Sequence, residues 1–135
     1  MSKYGTYATR FRNRQALVAE LILQFKEVEV HDTPQTLYDY NGEPRPDKAE
    51  IIVRRQYVSG MSNDVGFCLK DGCYQAVISD YDRHGGKQLN DEWMKKLTTA
   101  YNKRVVLPGL VAKGFRMSTL DQQQDGEHVA MVRMR

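Results

Sequence analysis

The stretch Asn63–Asp82, NDVGFCLKDGCYQAVISDYD, decides the fold. Val65, Phe67 and Leu69 alternate with Gly66, Cys68 and Lys70, a period of two that gathers one apolar face of a strand. Asp71 and Gly72 follow, and both tolerate the positive φ that a type I′ turn requires. A second strand leaves the turn with Tyr74, Ala76 and Ile78 on one face and Val77 on the other, so the spacing predicts an antiparallel hairpin. The hairpin delivers Asp80-Tyr81-Asp82-Arg83-His84-Gly85-Gly86, a polar, aromatic and flexible loop. A rigid hairpin presenting such a loop is a scaffold for a site. The same residues also describe a surface turn between a strand and a helix.

Outward from the hairpin, Tyr4–Phe11 reads as a strand, and Asn13 is an N-cap for the helix after it. Val18, Leu21, Ile22 and Phe25 give that helix one apolar face to pack on a sheet. Glu27–His31 alternates as a half-buried strand that Thr33-Pro34 interrupts. Leu37, Tyr38 and Tyr40 suggest a further short strand before the turn signal Asn41-Gly42. Residues 43–48 contain Pro44 and Pro46 and read as a loop; Ala49–Val58 returns to strand, and residues 60–63 form a loop.

Asn90 caps a second helix, with Asp91 and Glu92 at its positive end and Trp93, Leu97 and Tyr101 as a core stripe. Pro108 predicts a break between Asn102 and Leu107 and a short helix beyond it, closed by Gly114. Phe115–Asp121 and His128–Met134 predict a closing hairpin about Asp125-Gly126. The expectation is a single α+β domain over residues 1–135. Its antiparallel-rich sheet carries two main helices on one face, the second broken near Pro108.

Composition bounds the function. The chain has 135 residues and a net charge of +3, which is mild for a duplex-DNA binder. No apolar run nears the roughly 20 residues that span a bilayer, and the polar, basic start has no signal-peptide core, so a cytoplasmic location is expected. Lys3, Arg10, Arg12 and Arg14 form a basic N-terminal edge. Cys68 and Cys73 flank the tight turn, but Lys70 faces Cys73 across it, so no disulfide is expected.

Several features together resemble the uncharacterised family of the hypothetical chloroplast open reading frame thirty-five proteins, with relatives in bacteria and phages. They are Ser2-Lys3-Tyr4, the helix at Asn13–Phe25, Asp64-Val65-Gly66-Phe67, Tyr74 with Asp80-Tyr81, and Leu97–Tyr101 ahead of Gly114-Phe115. Where such proteins carry tryptophan after the Asp80 equivalent, this chain has Tyr81-Asp82, and Pro108 interrupts a helix continuous elsewhere. The resemblance brings no activity with it. It implies association with AAA-type ATPases or with phage accessory functions, hence a partner-binding or host-modulating role.

The residues offer three chemistries. In the first, arginines and tyrosines bind a phosphate-bearing ligand, a nucleotide or single-stranded nucleic acid. The site residues are then Asp80, Tyr81, Arg83 and His84 on the loop, with Arg54 and Asp64 as neighbours. The plain alternative is that strand tyrosines reflect β propensity and arginines solubility. In the second, an open sheet edge pairs with a protein partner, an AAA-type ATPase or a host protein, or with a second copy as a homodimer. In the third, a small hydrolase uses Asp80 and His84; Asp80 and Asp82 would share a face if the strand continued through them. No nucleotide-binding glycine fingerprint is present, and His31, His84 and His128 lie too far apart for a metal motif. No cofactor and no metal are expected, and the leading expectation is a non-catalytic regulatory binding protein.

Overall fold

A computed structural model describes residues 3–85 and 88–106. Five antiparallel strands form one sheet in the order β1-β5-β4-β3-β2: β1 Tyr4–Phe11, β2 Glu29–Tyr38, β3 Pro44–Val53, β4 Val65–Lys70 and β5 Cys73–Ser79. Helix α1 (Arg14–Phe25) connects the two outer strands, and helix α3 (Asp91–Val106) follows β5. A single turn of helix, α2 (Arg55–Val58), lies between β3 and β4, and a turn of π-helix spans Tyr81–Gly85. The expected α+β class, antiparallel sheet and two long helices are all present.

The local signals act as chemistry requires. Asn13 Oδ1 accepts the Ala16 amide and Asn90 Oδ1 accepts the Trp93 amide, so each side chain satisfies a donor that its helix leaves open. Asp71 and Gly72 take φ of 55° and 82°, and the β4–β5 register sets Lys70 opposite Cys73 and Cys68 opposite Gln75. Both cysteines are free thiols. Helix α1 ends at Lys26, whose φ of 78° and the Glu27 amide on Phe25 O make a γ-turn about a non-glycine residue.

Both helices pack on one sheet face. Leu17, Leu21, Phe25, Trp93, Leu97 and Tyr101 meet Phe11, Ile51, Phe67, Tyr74, Ala76 and Ile78 in the main core. The Tyr101 hydroxyl reaches over to accept the amides of Arg12 and Asn13. The opposite face holds a smaller core of Leu37, Ala49, Ile52 and Val77. It is buried because the β2–β3 hairpin bends. Four residues of β2 between Val30 and Gln35 stand against Glu50 alone on β3, so the distal half of the hairpin turns across the sheet. Leu37 and Ala49 then lie over Gly66, where a Cβ would come within 2.5 Å of the Ala49 Cβ.

Four expectations are corrected. Residues 44–48, read as a loop because of their prolines, belong to β3. Here β3 has only β2 beside it, since β4 pairs no further than Ile51–Val53, and proline is tolerated on such an edge. The strand expected through Val58 stops at Val53 and turns into α2. Thr33-Pro34 bulges β2 without ending it, so the two short strands expected there are one. Helix α3 runs unbroken through Asn102–Val106, where the break was expected between Asn102 and Leu107; Leu107, Pro108, the short helix and the closing hairpin lie outside the described residues.

Gly66→Ala is expected to destabilise the chain by about 1–3 kcal/mol through overpacking against Ala49. In urea unfolding, Ala49→Gly should return part of that loss in the double variant; additive losses would show that the two positions do not meet.

Candidate functional site

The end of the sheet where β4 begins and β5 ends is built from polar residues. Continuing the register beyond Gly66↔Val77 brings Asn63 and Asp64 beside Ser79 and Asp80. All of Asn63, Asp64, Ser79 and Asp82 are buried except for a 2% remnant at Asp64. Their bonds form a hub.

Asp64 is the first half of it. Its Oδ1 accepts the Arg55 amide at 2.8 Å, and its Oδ2 accepts the Tyr38 amide and Arg54 Nη1, both at 2.8 Å. Its own amide donates to Tyr38 O at 3.0 Å, and its carbonyl accepts the Tyr4 hydroxyl at 2.6 Å. Arg54 is shared. Its Nε and Nη2 donate to the two carboxylate oxygens of Glu29, both at 2.9 Å, and Nη1 also reaches Thr36 O. Burial alone would raise the Glu29 carboxyl, but hydrogen bonds from Arg54 and His31 outweigh it and hold its pKa below the ordinary glutamate value. Burial, and then the nearby Asp64 and Asp82 carboxylates, push the Tyr4 phenol far above its usual range.

Asp82 is the second half. Its Oδ2 accepts the Asn63 amide at 3.1 Å and the Ser79 hydroxyl at 3.0 Å, while its own amide donates back to Ser79 Oγ. Asn63 Nδ2 donates to the same Ser79 Oγ at 2.9 Å, and Asn63 Oδ1 accepts the Tyr40 amide. Asp82 Oδ1 is buried with no partner among the described residues.

Of the residues singled out from sequence, Arg54 and Asp64 form a direct ion pair. Asp80, Tyr81, Arg83 and His84 fall on or beside the π-helical turn, and the Asn63–Asp82 bond joins that turn to the Arg54–Asp64 pair. Asp80, Tyr81 and His84 are exposed. Arg83 turns inward: its guanidinium lies 4.3 Å from the Tyr7 ring centroid and bonds Leu89 O and the Asp91 carboxylate. Over Tyr81–Gly85 the loop expected to be flexible is therefore a stitched helical turn, and Gly86 lies outside the described residues. Asp80 and Asp82 do not share a face, because the strand ends at Ser79 and leaves the first exposed and the second buried. The residues that sequence reasoning left out of the site are Asn63, Ser79 and Glu29. The signal for the first two was the hairpin register itself, which sets a polar pair before one strand against a polar pair after the next.

Among the described residues no three metal-ligating side chains converge, and no helix is long and apolar enough to cross a membrane. A family model described as "Protein of unknown function (DUF1257)" matches residues 21–131. No curated protein and no solved structure matches the chain.

Asp82→Ala strands the Asn63 amide and the Ser79 hydroxyl, with an expected loss of about 1–3 kcal/mol for each donor left unpaired. Asp82→Asn keeps one acceptor oxygen and should lose less in urea unfolding; equal losses would mean that Oδ2 does not hold the hub. Glu29 gives a pH prediction. Its folded pKa is depressed, so its contribution is present above the unfolded glutamate pKa and is lost as pH falls through the lower folded value. The acid limb of a stability–pH curve should flatten in Glu29→Gln; an unchanged limb would deny the pairing.

Proposed function

We propose that this chain, which belongs to the family described as "Protein of unknown function (DUF1257)", is a non-catalytic binding module that recognises a protein partner at the rim of its buried hub. One observation carries the reading. Tyr38, Tyr40, Tyr57 and Tyr81 are 40–44% exposed and Met61 is 68% exposed. Every one of them is within two residues of a hub hydrogen bond. Tyrosine and methionine are enriched in protein interfaces, where they supply large area at low entropic cost. Beneath them the hub fixes the backbone, so the aromatic surface is presented on a rigid base.

The sheet edges support this reading less. Among the described residues β1 and β2 are open edges, but both carry register breaks that interrupt the row of groups a partner strand or second copy would pair with. The narrower likeness to the chloroplast reading-frame proteins points to an AAA-type ATPase as one class of partner for a regulatory role.

A second reading keeps the rim and changes the ligand to a nucleotide or single-stranded nucleic acid. The exposed tyrosines favour it by offering stacking faces. Its cations are the difficulty, because Arg54 and Arg83 are both engaged by carboxylates of the chain itself. A hydrolytic reading has Asp80 and His84 on the exposed side of the turn, without the buried surroundings that set a catalytic acid or base apart.

Native mass spectrometry of the full chain, purified gently at low salt, tests the choice. The expected result is a protein partner in fixed stoichiometry that is lost from Tyr57→Ser with Met61→Ser while thermal stability is kept. A complex that survives both substitutions, or a retained nucleotide mass in place of a protein, overturns the reading.

A further inference from the structure

Away from the hub, a cleft lies between the outer strand β1 and helix α3. The two elements are tied at both ends. At one end the Arg83 guanidinium lies over the Tyr7 ring and bonds the Asp91 carboxylate at the start of α3. At the other the Tyr101 hydroxyl accepts the amides of Arg12 and Asn13, both at 2.8 Å, so strand and helix run in the same direction. Between the ties the cleft holds about 310 Å³ and is lined by Ala8, Thr9, Arg10, Met94 and Thr98. A bulge makes its strand bank. Tyr7 pairs with Ala76 and Phe11 with Tyr74, so Ala8, Thr9 and Arg10 stand against Gln75 alone. The extra residues are fixed by the chain itself: Thr9 Oγ1 accepts the Phe11 amide and donates to Tyr74 O, and Thr9 O accepts the Cys73 thiol.

The cleft has a sign. No carboxylate lines it, and Asp91 at its end is taken by Arg83. Arg10 is in the lining, and Arg12 follows two residues on. Across the cleft, Lys95 and Asn102 flank Thr98 at i−3 and i+4, so the three share one side of α3. Arg10, Arg12 and Lys95 are exposed and have no ion pair among the described residues. Lys95 and Asn102 stand about 10 Å apart along the helix axis. A single anion at Arg10 leaves the other cations unused, whereas a chain of anions laid along the cleft meets all three. Guanidinium forks match phosphate oxygens in pairs. An acidic peptide added as a strand would need the regular row of backbone groups that the bulge interrupts, and a phosphate chain needs no such register. A bilayer would want apolar anchors, and none of the exposed large apolar side chains lines the cleft.

We propose that this cleft seats the phosphate backbone of a nucleic acid strand without reading its sequence. The exposed tyrosines stand at the rim, so no exposed stacking face borders the cleft and base identity has nothing to act on. The net charge of +3 is mild, and the attraction comes from three unpaired cations at one place rather than from the chain as a whole. The cleft shares no residue with the rim, so the proposal stands apart from the reading given there.

The test uses the full chain and a fluorescein-labelled oligothymidylate of about 15 nucleotides, read by anisotropy. Three displaced counterions predict a slope of about −2 for log affinity against log salt, hence a loss of roughly 15-fold between about 50 and 200 mM. A mixed-sequence strand of the same length should bind within about twofold of it, because backbone contacts carry no sequence information. Arg10→Gln with Arg12→Gln should weaken binding about tenfold at about 50 mM salt and bring the slope to about −0.7. Lys95→Gln, on the other bank, should by itself reduce the slope by about 0.7. All three side chains are exposed, so the fold should survive, and Lys48→Gln, which removes an exposed charge on β3, should leave the slope as it was. Any of four results overturns the proposal: no binding, a slope that the Arg10, Arg12 and Lys95 variants leave unchanged, a strong preference between the two strands, or tighter binding to polyglutamate or to anionic phospholipid vesicles than to the oligonucleotide.

Discussion

The carboxylate of Asp64 is the constraint on which the rest of the structure leans. One buried side chain holds the end of β2 through the Tyr38 amide, the start of α2 through the Arg55 amide, and the Arg54 guanidinium between them. Two backbone donors and one cation aimed at a single carboxylate are charge-assisted bonds, stronger than neutral ones. Their value is less in net stability than in uniqueness. A buried charge costs desolvation that its partners only offset, but any alternative packing that leaves the charge unpaired is far worse. The bent β2–β3 hairpin is therefore pinned where its bulged segment ends.

That pin explains the second core. Leu37 and Ala49 cover Gly66 only because the distal hairpin crosses the sheet, and the approach is so close that β4 must present a bare Cα there. Arg54 ties the same bend to Glu29 at the base of β2, so both ends of the bulged segment are held by one guanidinium. A sheet with helices on one face alone would expose Ile52 and Val77; the folded hairpin buries them without a second helical layer.

The parts legible in the sequence were those whose cause is local. The alternation through Val65–Lys70, the Asp71-Gly72 turn, the Asn13 and Asn90 caps and the Trp93–Leu97–Tyr101 stripe each fix their element within a few residues. The parts that were not legible have distant causes. Pro44 and Pro46 look like loop residues until β4 proves too short to flank them. Arg55–Val58 looks like strand until Asp64, nine residues from Arg55, caps it as a helical turn. Arg54 could be named as a candidate because a guanidinium suits phosphate, and Asp64 because it opens Asp64-Val65-Gly66-Phe67. Asn63 and Ser79 could not, because buried small polar residues resemble ordinary loop and strand ends unless the register is carried past the last paired residue. The pairing of charge has distant causes too. Arg83 and Arg54 stand out in sequence as phosphate donors, and each is engaged within the chain.

The two surfaces differ in the physics they present. At the rim, tyrosines and Met61 rest on a hub whose Arg54 is engaged by Asp64 and Glu29, so the surface there is aromatic and apolar rather than charged. On the solvent face of α3, Lys95, Lys96 and Lys103 are exposed and without ion-pair partners among the described residues, so that surface is charged and its field is screened by salt. Gln88, ahead of α3, ties the regions together: it accepts the Ser62 hydroxyl and reaches Val58 O at the base of the rim. Arg83 makes a second tie, from the π-helical turn to Leu89 and Asp91 at the start of α3. Two faces of unlike chemistry are thus braced against each other by side-chain bonds rather than joined by a flexible linker.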